Sequence, residues 1–335
     1  MPPTRTRELG RGERVIPGLW RLRLPLPFPG IPHCNAWAVA ADDGLVLFDT
    51  GMHEPGSMDD LERAMAQVGL RVDDVRLVVC THAHADHWGQ AATICDRTGC
   101  EMWMHPNHEH GFVAAADPDT VLARRLEIGR QSGVPASALE RYAEEARAHP
   151  SGIARVVEPD RPLIAGVTVD TDLGTWTTFE TPGHAPSHVC FFQAEHRLLI
   201  SGDHVMGRIS LYFDYGWTPD PIGEFLASLG VVDELDARLA LSGHGKPFLD
   251  VHGHIEGNRR LVTERLEAAL AAVSEGPKTA LEVTPHLHEE PLTQANAGWW
   301  LPETLCYLTH LERLGDVARE SDGDVERWVR KLSDR

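Results

Sequence analysis

Basic residues are scarce in this sequence, in which 31 lysines and arginines stand against 50 aspartates and glutamates, for a formal net charge of -19. An acidic surface repels phosphates, so no nucleic-acid partner is expected, although the net charge does not exclude a small basic patch. Cysteines are also few, and the six are scattered without a CxxC pair. Several stand in apolar runs such as "LVVC", which favours buried, reduced thiols and a cytoplasmic protein.

Long apolar runs are missing as well. No run approaches the ~20 residues that span a bilayer, so no membrane segment is expected. The first residues, "MPPTRTRELGRGERV", carry charge without an apolar stretch, so no secretory signal peptide is predicted. No repeat or low-complexity tract is visible, and 335 residues suffice for one large domain plus a small one, or for two medium domains.

What the sequence does contain is an alternation of strand and helix patterns. "NAWAVAADDGLVLFDTG" predicts two strands joined at an Asp43-Gly44 turn. "SMDDLERAMAQVGL" has helical spacing, and "VRLVVCTH" predicts a buried strand. This order predicts an α/β layered domain, in which ligand sites collect at the carboxyl ends of strands.

Two regions depart from that alternation. Residues 112–155 read as polar helices, which predicts a helical insertion that is either a surface excursion or a lid. After Asp250 the pattern is mainly helical, with a long helix ended by Gly276-Pro277. We therefore predict a first domain over residues 1–250, which includes the insertion, and a small C-terminal domain over residues 251–335.

The densest group of metal-binding residue types lies in "THAHADHWGQ", directly after the predicted buried strand. His82, His84, Asp86 and His87 fall within six residues. A lone histidine is more often structural, but burying four such groups without a metal would leave many polar atoms unsatisfied. Histidine and carboxylate are ordinary zinc ligands, so the motif predicts a metal site.

Three later segments have the same character. "ETPGH" supplies His184, "LLISGD" supplies Asp203 and "LSGHG" supplies His244. Each follows an apolar or β-rich run and has an adjacent glycine, whose backbone can turn tightly. Seven ligands are too many for one tetrahedral zinc ion but suit two metals with a bridging carboxylate.

The segments "LFDTG", "THAHADHWGQ", "TPGH", "SGD" and "SGHG" occur in that order. In these segments the sequence resembles the metallo-β-lactamase superfamily. The resemblance implies an α/β fold with an αββα sandwich, which the strand and helix pattern alone does not give. "SGDHVMGRISLYFDYGWTPDPIGEFLASL" and "LPETLCYLTHLERLG" are similar to a bacterial branch with a small, mainly helical, winged-helix-like C-terminal domain.

The resemblance assigns a place to every candidate ligand: the first metal takes His82, His84 and His184, the second takes Asp86, His87 and His244, and Asp203 bridges them. It also implies that Asp49 orients a ligand by hydrogen bonds, the alternative being a purely structural turn. Histidine-rich ligation suits two zinc ions, although iron or manganese is also compatible.

Such a centre predicts hydrolysis by a metal-bridging hydroxide, with Asp86 orienting the water or accepting its proton. The superfamily's zinc β-lactamases lack an aspartate at the position of Asp203, and its flavodiiron members carry a carboxylate at that of His84, so β-lactam resistance and redox chemistry are disfavoured. The preferred hypothesis is a hydrolase of a small-molecule thioester, ester or lactone. The alternative is a metal-dependent endoribonuclease or phosphodiesterase, and a metalloprotein without turnover is a third.

Aromatic residues crowd the loop after Asp203. They either floor an apolar pocket beside the metals or pack beneath the loop as a core of their own. Tyr212 is the candidate donor to a reacting oxyanion. The candidate substrate contacts are His204, Arg208, Tyr215 and Trp217, with a surface charge as the alternative for Arg208.

Further polar residues are weaker candidates. His33 and Asn35 precede a strand that the superfamily places near its site, whereas His105, His108 and His110 are expected mostly on a loop surface. The expected partner is a small-molecule substrate, and a homo-oligomer stays open. Because glutamates surround the few arginines of the C-terminal helices, packing or dimerisation is the expected role of that domain.

Overall fold

The computed structural model describes residues 9–28, 30–149 and 151–331. Within these ranges the first sheet contains β1 (Arg11–Ile16), β2 (Leu19–Pro25), β3 (His33–Ala41), β4 (Gly44–Phe48), β5 (Val75–Val79), β6 (Glu101–Met104) and β7 (Arg161–Pro162). The second contains β8 (Thr168–Thr171), β9 (Gly174–Glu180), β10 (Val189–Gln193), β11 (Leu198–Gly202) and β12 (Leu239–Ser242). A hairpin of β13 (Val317–Asp322) and β14 (Val325–Arg330) follows near the C-terminus.

The α-helices are α1 (Ser57–Gln67), α2 (Ala85–Trp88), α3 (Ala91–Thr98), α4 (Glu109–Ala116), α5 (Pro118–Gln131), α6 (Ala136–Ala148), α7 (Pro221–Asp233), α8 (Val251–Ser274), α9 (Ala280–Val283) and α10 (Gln294–Leu314). Short 3-10 turns lie at Val72–Asp74 and Thr284–His286. None of the described helices combines the length and the apolar character needed to cross a bilayer.

Both sheets are mixed. In the first, the strands lie in sequence order, antiparallel from β1 to β4 and parallel from β4 to β7. In the second, the order is β12-β11-β10-β9-β8, and only β11 and β12 are parallel. The predicted turn at Asp43-Gly44 joins β3 to β4, and Ala41 pairs with Gly44.

The alternation of side chains along each strand builds the layers. On β4, Phe48 points between the sheets, where its ring lies 5.7 Å from Trp176 and 5.1 Å from Phe191 of the second sheet. Its neighbour Leu47 belongs to the opposite face, in the core shared with Leu61 of α1. Helices thus cover the outer face of the first sheet, and the two inner faces meet.

The outer face of the second sheet is covered by α7, α8 and α10. Leu199 of β11 shares one buried core with Phe225, Ile255 and Tyr307 from these helices. The predicted αββα sandwich with a mainly helical C-terminal region is therefore confirmed.

The insertion predicted over residues 112–155 contains the end of α4 together with α5 and α6. It contacts the C-terminal helices, because Gln294 Nε2 at the start of α10 donates a 2.6 Å hydrogen bond to Glu145 Oε1 of α6. Just before the predicted insertion, in the first turn of α4, the ring of His110 lies 5.5 Å from that of His84.

Most of the candidate site residues lie just after the ends of strands. Asp49 follows β4, His82 follows β5 at a short interval, Asp203 follows β11 and His244 follows β12. His184 lies in the turn between β9 and β10. Because the carboxyl ends of these strands converge, the segments with ligand-type residues meet at one edge of the sandwich.

Candidate metal centre

The first group of ligands consists of three histidines whose ring nitrogens converge. Nδ1 of His84 lies 3.0 Å from Nε2 of His82 and 3.0 Å from Nε2 of His184. His84 Nε2 donates to Asp214, and His184 Nδ1 donates to the Tyr212 carbonyl at 3.0 Å. His82 Nδ1 donates to Thr81 Oγ1 at 3.0 Å, so in the neutral rings these three bonds leave lone pairs on the converging nitrogens. Facing lone pairs repel one another unless a cation lies between them, so the group fits a metal ion.

The protonation of two of these rings agrees with that fit. Burial, together with the neighbouring histidines, holds the pKa of His82 well below its ordinary value. Burial likewise lowers the pKa of His184 to about 4. Both rings are therefore neutral at pH 7, which is the form that binds metals.

The second group is built around Asp203. Its Oδ2 lies 3.0 Å from Nε2 of His244, which is also 3.3 Å from Oδ2 of Asp86. Its Oδ1 lies 3.6 Å from Nε2 of His87, and both of these buried atoms lack a hydrogen-bond partner among the described residues. Unpaired buried donors and acceptors are costly, and a metal ion between them would remove that cost.

Asp203 also faces the first group, because its Oδ2 lies 3.8 Å from Nε2 of His184. One carboxylate thus stands between two groups of imidazoles, as a bridging ligand would. The structure brings together all the ligand residues predicted from the sequence: His82, His84, Asp86, His87, His184, Asp203 and His244.

The electrostatics of the second group favour cations. Burial alone would raise the pKa of Asp203, but the His244 and His87 rings outweigh it and hold the pKa well below the ordinary value. Burial lowers the pKa of His244, yet the carboxylates of Asp203 and Asp86 raise it to about 10. Positive charge is thus strongly stabilised between these carboxylates, which fits a divalent cation.

One side of the cluster is open. The side chain of His84 is 21% exposed, that of His244 17% and that of Asp86 16%, whereas those of His82 and His87 are fully buried. A small molecule can therefore reach the ligands from the side of His84, Asp86 and His244.

Asp49 holds His87 from behind. Its Oδ2 accepts hydrogen bonds from His87 Nδ1 at 2.8 Å and from Thr81 Oγ1 at 2.9 Å, and its Oδ1 accepts from Thr81 N at 2.8 Å. Nδ1 of His87 is occupied in this way, so Nε2 faces Asp203. The contact is the orienting hydrogen bond that the resemblance implies for Asp49.

Asp214 was not predicted from the sequence, and His110 was named there only as one of three histidines expected mostly on a loop surface. Asp214 Oδ2 lies 2.8 Å from His84 Nε2 and 3.1 Å from His110 Nδ1, and His110 Nε2 lies 2.9 Å from Ser187 Oγ. His110 is buried, and so is His105, which pairs with Glu180 at 2.8 Å. The expectation that these two histidines lie on a loop surface is wrong, because each is buried and has a hydrogen-bond partner.

His188 is a further unpredicted neighbour. Its Nε2 accepts a 3.1 Å hydrogen bond from the backbone N of Asp203, and its Nδ1 pairs with Thr181 Oγ1 at 2.8 Å. Its ring lies 5.1 Å from that of His82. His188 therefore fixes the backbone at Asp203 rather than offering a lone pair to the centre.

The weaker candidates His33 and Asn35 support the loop of His244. The His33 carbonyl accepts from His244 Nδ1 at 2.9 Å. Asn35 Nδ2 donates to the carbonyl of Ser242 at 2.8 Å and to that of Gly245 at 3.1 Å. They act through that loop, and the His33 side chain itself lies beside Arg21 and Arg23.

Tyr212 and Trp217 lie near the cluster. The Tyr212 ring is 5.9 Å from His84 and 5.7 Å from His184. Its hydroxyl donates to Asp214 Oδ1 over 3.3 Å, and burial together with that carboxylate raises its pKa well above the ordinary value. Trp217 lies 6.2 Å from His110, beneath the guanidinium of Arg124.

The other candidate substrate contacts lie elsewhere. His204 is buried behind Asp203 with its ring 4.9 Å from Phe225, and Tyr215 packs against the core of the C-terminal helices. Arg208 is exposed and forms no hydrogen bond or ion pair with the residues that the structure describes. For His204 and Tyr215 the structure favours core packing because their rings fill the space under the loop.

Comparison with known proteins agrees with this geometry. The model of the metallo-beta-lactamase superfamily matches residues 29–244, a range that contains every candidate ligand. The chain belongs to this superfamily, and the prediction of a hydrolase from it is confirmed. The probable metallo-hydrolase YqjP of Bacillus subtilis is 25% identical over 274 residues, which cover 79% of this chain and 83% of that protein.

Two other similarities extend over more of the chain. An atrochrysone carboxyl ACP thioesterase of Aspergillus chevalieri is 22% identical over 88% of this chain and 80% of its own length. The crystal structure of a metallo-beta-lactamase family protein from Thermus thermophilus superposes with a TM-score of 0.81 at 27% identity, covering 95% of this chain and 100% of that one.

Proposed function

We propose that this member of the metallo-β-lactamase superfamily hydrolyses a small-molecule acyl thioester, with esters and lactones as chemically related substrates. The observation that carries the proposal is Asp203 between two groups of imidazoles, open to solvent on one side. The thioester is preferred because a relative that spans most of the chain is named a thioesterase. The ribonuclease alternative gains no support from these relatives, and the net charge of -19 disfavours it.

We further propose two zinc ions as the cofactors, since five imidazoles and two carboxylates suit zinc, although iron or manganese accepts the same ligands. When bound, the metals would polarise the substrate carbonyl and lower the pKa of a water molecule. The first would be held by His82, His84 and His184, the second by Asp86, His87 and His244, and Asp203 would contribute to both.

Two residues act directly on the reactants. Burial would raise the pKa of Asp86, but His87 and His244 outweigh it and hold the pKa far below the ordinary value. Because so acidic a carboxyl is a weak base, Asp86 accepts a hydrogen bond from the attacking water and orients it. Tyr212 keeps its proton, and its long bond to Asp214 leaves the hydroxyl available to donate to the developing oxyanion.

The surroundings favour a small substrate in a reducing compartment. The insertion and α10 contact each other, and His110 of α4 lies beside the ligand His84. All six cysteines are free thiols, which is consistent with the cytoplasmic location that the sequence predicts.

The test compares steady-state turnover of a medium-chain acyl thioester and of single-stranded RNA by the zinc-loaded protein. We expect thioester turnover in the wild type and its loss in Asp203→Asn. Asp119→Asn serves as the matched control, because Asp119 is exposed on α5 and should leave turnover unchanged. Cleavage of RNA alone, lost in Asp203→Asn, would replace this proposal with the ribonuclease, and turnover of neither substrate would refute the thioester assignment.

A further inference from the structure

Three aromatic rings from distant parts of the chain form a continuous row that begins at the ligand histidines. Tyr212 contacts His84 and His184, and its ring centroid lies 5.5 Å from that of Trp299. Trp299 in turn lies 5.7 Å from Phe28. We call Phe28, Tyr212 and Trp299 the aromatic ledge.

The members of the ledge come from three separate segments. Phe28 lies between β2 and β3, Tyr212 lies in the loop after β11, and Trp299 lies in the second turn of α10. Each contact is edge-to-face, with interplanar angles of 69° for Tyr212 with Trp299 and 78° for Trp299 with Phe28. Edge-to-face contacts are favourable for aromatic rings, so the row is a packed feature rather than a chance approach.

The outer part of the ledge is open to solvent. Trp299 is 40% exposed, although a tryptophan normally buries most of its surface. The adjacent Trp300 shows the contrast, because it stacks on His288 with centroids 3.9 Å apart and planes 5° from parallel. An exposed aromatic surface that continues into a reactive centre is typical of a ligand-binding site.

The neighbouring helices give the ledge a boundary. A Cβ on Gly298 would lie 4.0 Å from Cε2 of Tyr142 in α6, so α6 stands directly beside the turn that carries Trp299. The hydrogen bond from Gln294 to Glu145 holds the two helices together. The ledge therefore lies beside α6 of the insertion at Trp299 and beside the ligand histidines at Tyr212.

We propose that the aromatic ledge binds the acyl group of the substrate and selects extended or ring-bearing apolar acyl groups over acetyl. The inference rests on the proposed thioester hydrolysis. A carbonyl placed beside His84 and His184 has Tyr212 as its immediate aromatic neighbour. An apolar chain attached to that carbonyl reaches Trp299 and then Phe28, where it covers exposed aromatic surface.

The test compares kcat/KM for octanoyl and acetyl thioesters of N-acetylcysteamine in the zinc-loaded wild type, in Trp299→Ala and in Trp300→Ala. We expect the wild type to prefer the octanoyl thioester. Trp299→Ala should reduce that preference by roughly tenfold, mainly through KM for the octanoyl thioester, with a smaller effect on the acetyl thioester. Trp300→Ala removes the same type of side chain from the same helix and should leave the preference unchanged.

A binding measurement separates this inference from the proposed function. Calorimetric titration with the octyl thioether of N-acetylcysteamine, which cannot be hydrolysed, should show weaker binding to Trp299→Ala than to Trp300→Ala. If the wild type hydrolyses no thioester but the binding difference persists, the proposed reaction is refuted and the binding role of the aromatic ledge is retained. If the two variants match in preference and in binding, the ledge is refuted, whatever the activity.

Discussion

Oδ2 of Asp214 lies 2.8 Å from Nε2 of His84, and this contact decides which nitrogen of His84 faces the other ligands. With Nε2 donating to the carboxylate, Nδ1 is left 3.0 Å from the nitrogens of His82 and His184. Asp49 has the mirror-image role at His87, where it occupies Nδ1 and leaves Nε2 for the centre. Carboxylates outside each group therefore fix the tautomers within it.

Asp214→Ala should weaken zinc binding by roughly 10–100-fold, because His84 and His110 lose their common acceptor and the His84 ring is free to turn. Competition with a chromophoric chelator would measure the affinity. Glu180→Ala is the matched control, since it removes the carboxylate partner of His105 outside the cluster. Equal zinc affinity in the two variants would contradict the positioning role.

Gly243→Ala should displace Asp203 and reduce the bound metal. A Cβ at this position would fall 2.0 Å from Oδ1 of Asp203 and 2.7 Å from Cε1 of His87, closer than any real contact allows. Metal content after gel filtration would check the loss, with far-UV circular dichroism showing that the fold persists. Gly230→Ala in α7 meets no atom within 4 Å and should keep its metal. Full metal content in Gly243→Ala would show that the loop shifts without cost.

The convergence of the candidate ligands could be predicted from the sequence because their segments follow strand patterns closely. Asp203, for example, follows the last residue of β11 directly, and His244 follows the end of β12 after one residue. Asp214 could not, because "LYFDYGW" lies outside any strand or helix and no period marks the direction of its side chain. The only signal was a carboxylate among aromatic residues, which is equally compatible with a surface position.

The aromatic ledge illustrates a second limit of prediction from the sequence. The sequence marked Tyr212 and its loop, but Phe28 and Trp299 come from near opposite ends of the chain. Their approach depends on how α10 packs against the second sheet, which is a long-range outcome of the core around Phe225 and Tyr307. For the same reason the sequence alone could not decide which other aromatic residues of the loop after Asp203 lie at the site and which pack in the core.

Arg265→Met should lower the free energy of unfolding by about 3 kcal/mol, because it leaves the carboxylate of Glu303 buried without its ion-pair partner. Glu303 is only 2% exposed, and its remaining side-chain hydrogen bond comes from Tyr307 over 3.3 Å. Urea denaturation would measure the change.

The double variant Arg265→Met/Glu303→Leu should recover most of that loss, since no unpaired charge remains in the core. Arg259→Met breaks a more exposed pair with Asp233 and should cost less than about 1 kcal/mol. A double variant as unstable as Arg265→Met would show that side-chain packing, and not the unpaired charge, dominates.

His288 should make the protein less stable in mild acid. Burial, helped by the charge of Arg265, lowers the pKa of His288 from 6.5 to about 4. Above pH 6.5 the ring is neutral in both states and costs nothing. Between pH 6.5 and about pH 4 the ring is protonated in the unfolded chain but still neutral in the folded protein. The free energy of unfolding therefore falls as the pH is lowered through this range.

Because His288 is only half-buried, we expect a loss of about 1 kcal/mol between pH 7 and pH 5 from this ring. His288→Phe should remove that loss while it keeps the stack on Trp300. In urea denaturation of zinc-saturated protein, the free energy of unfolding of the variant should therefore decrease less steeply with falling pH than that of the wild type. His286→Phe changes an exposed histidine two residues away and should follow the wild type. Parallel pH profiles for the wild type and His288→Phe would mean that His288 takes up its proton as readily in the folded protein as in the unfolded chain.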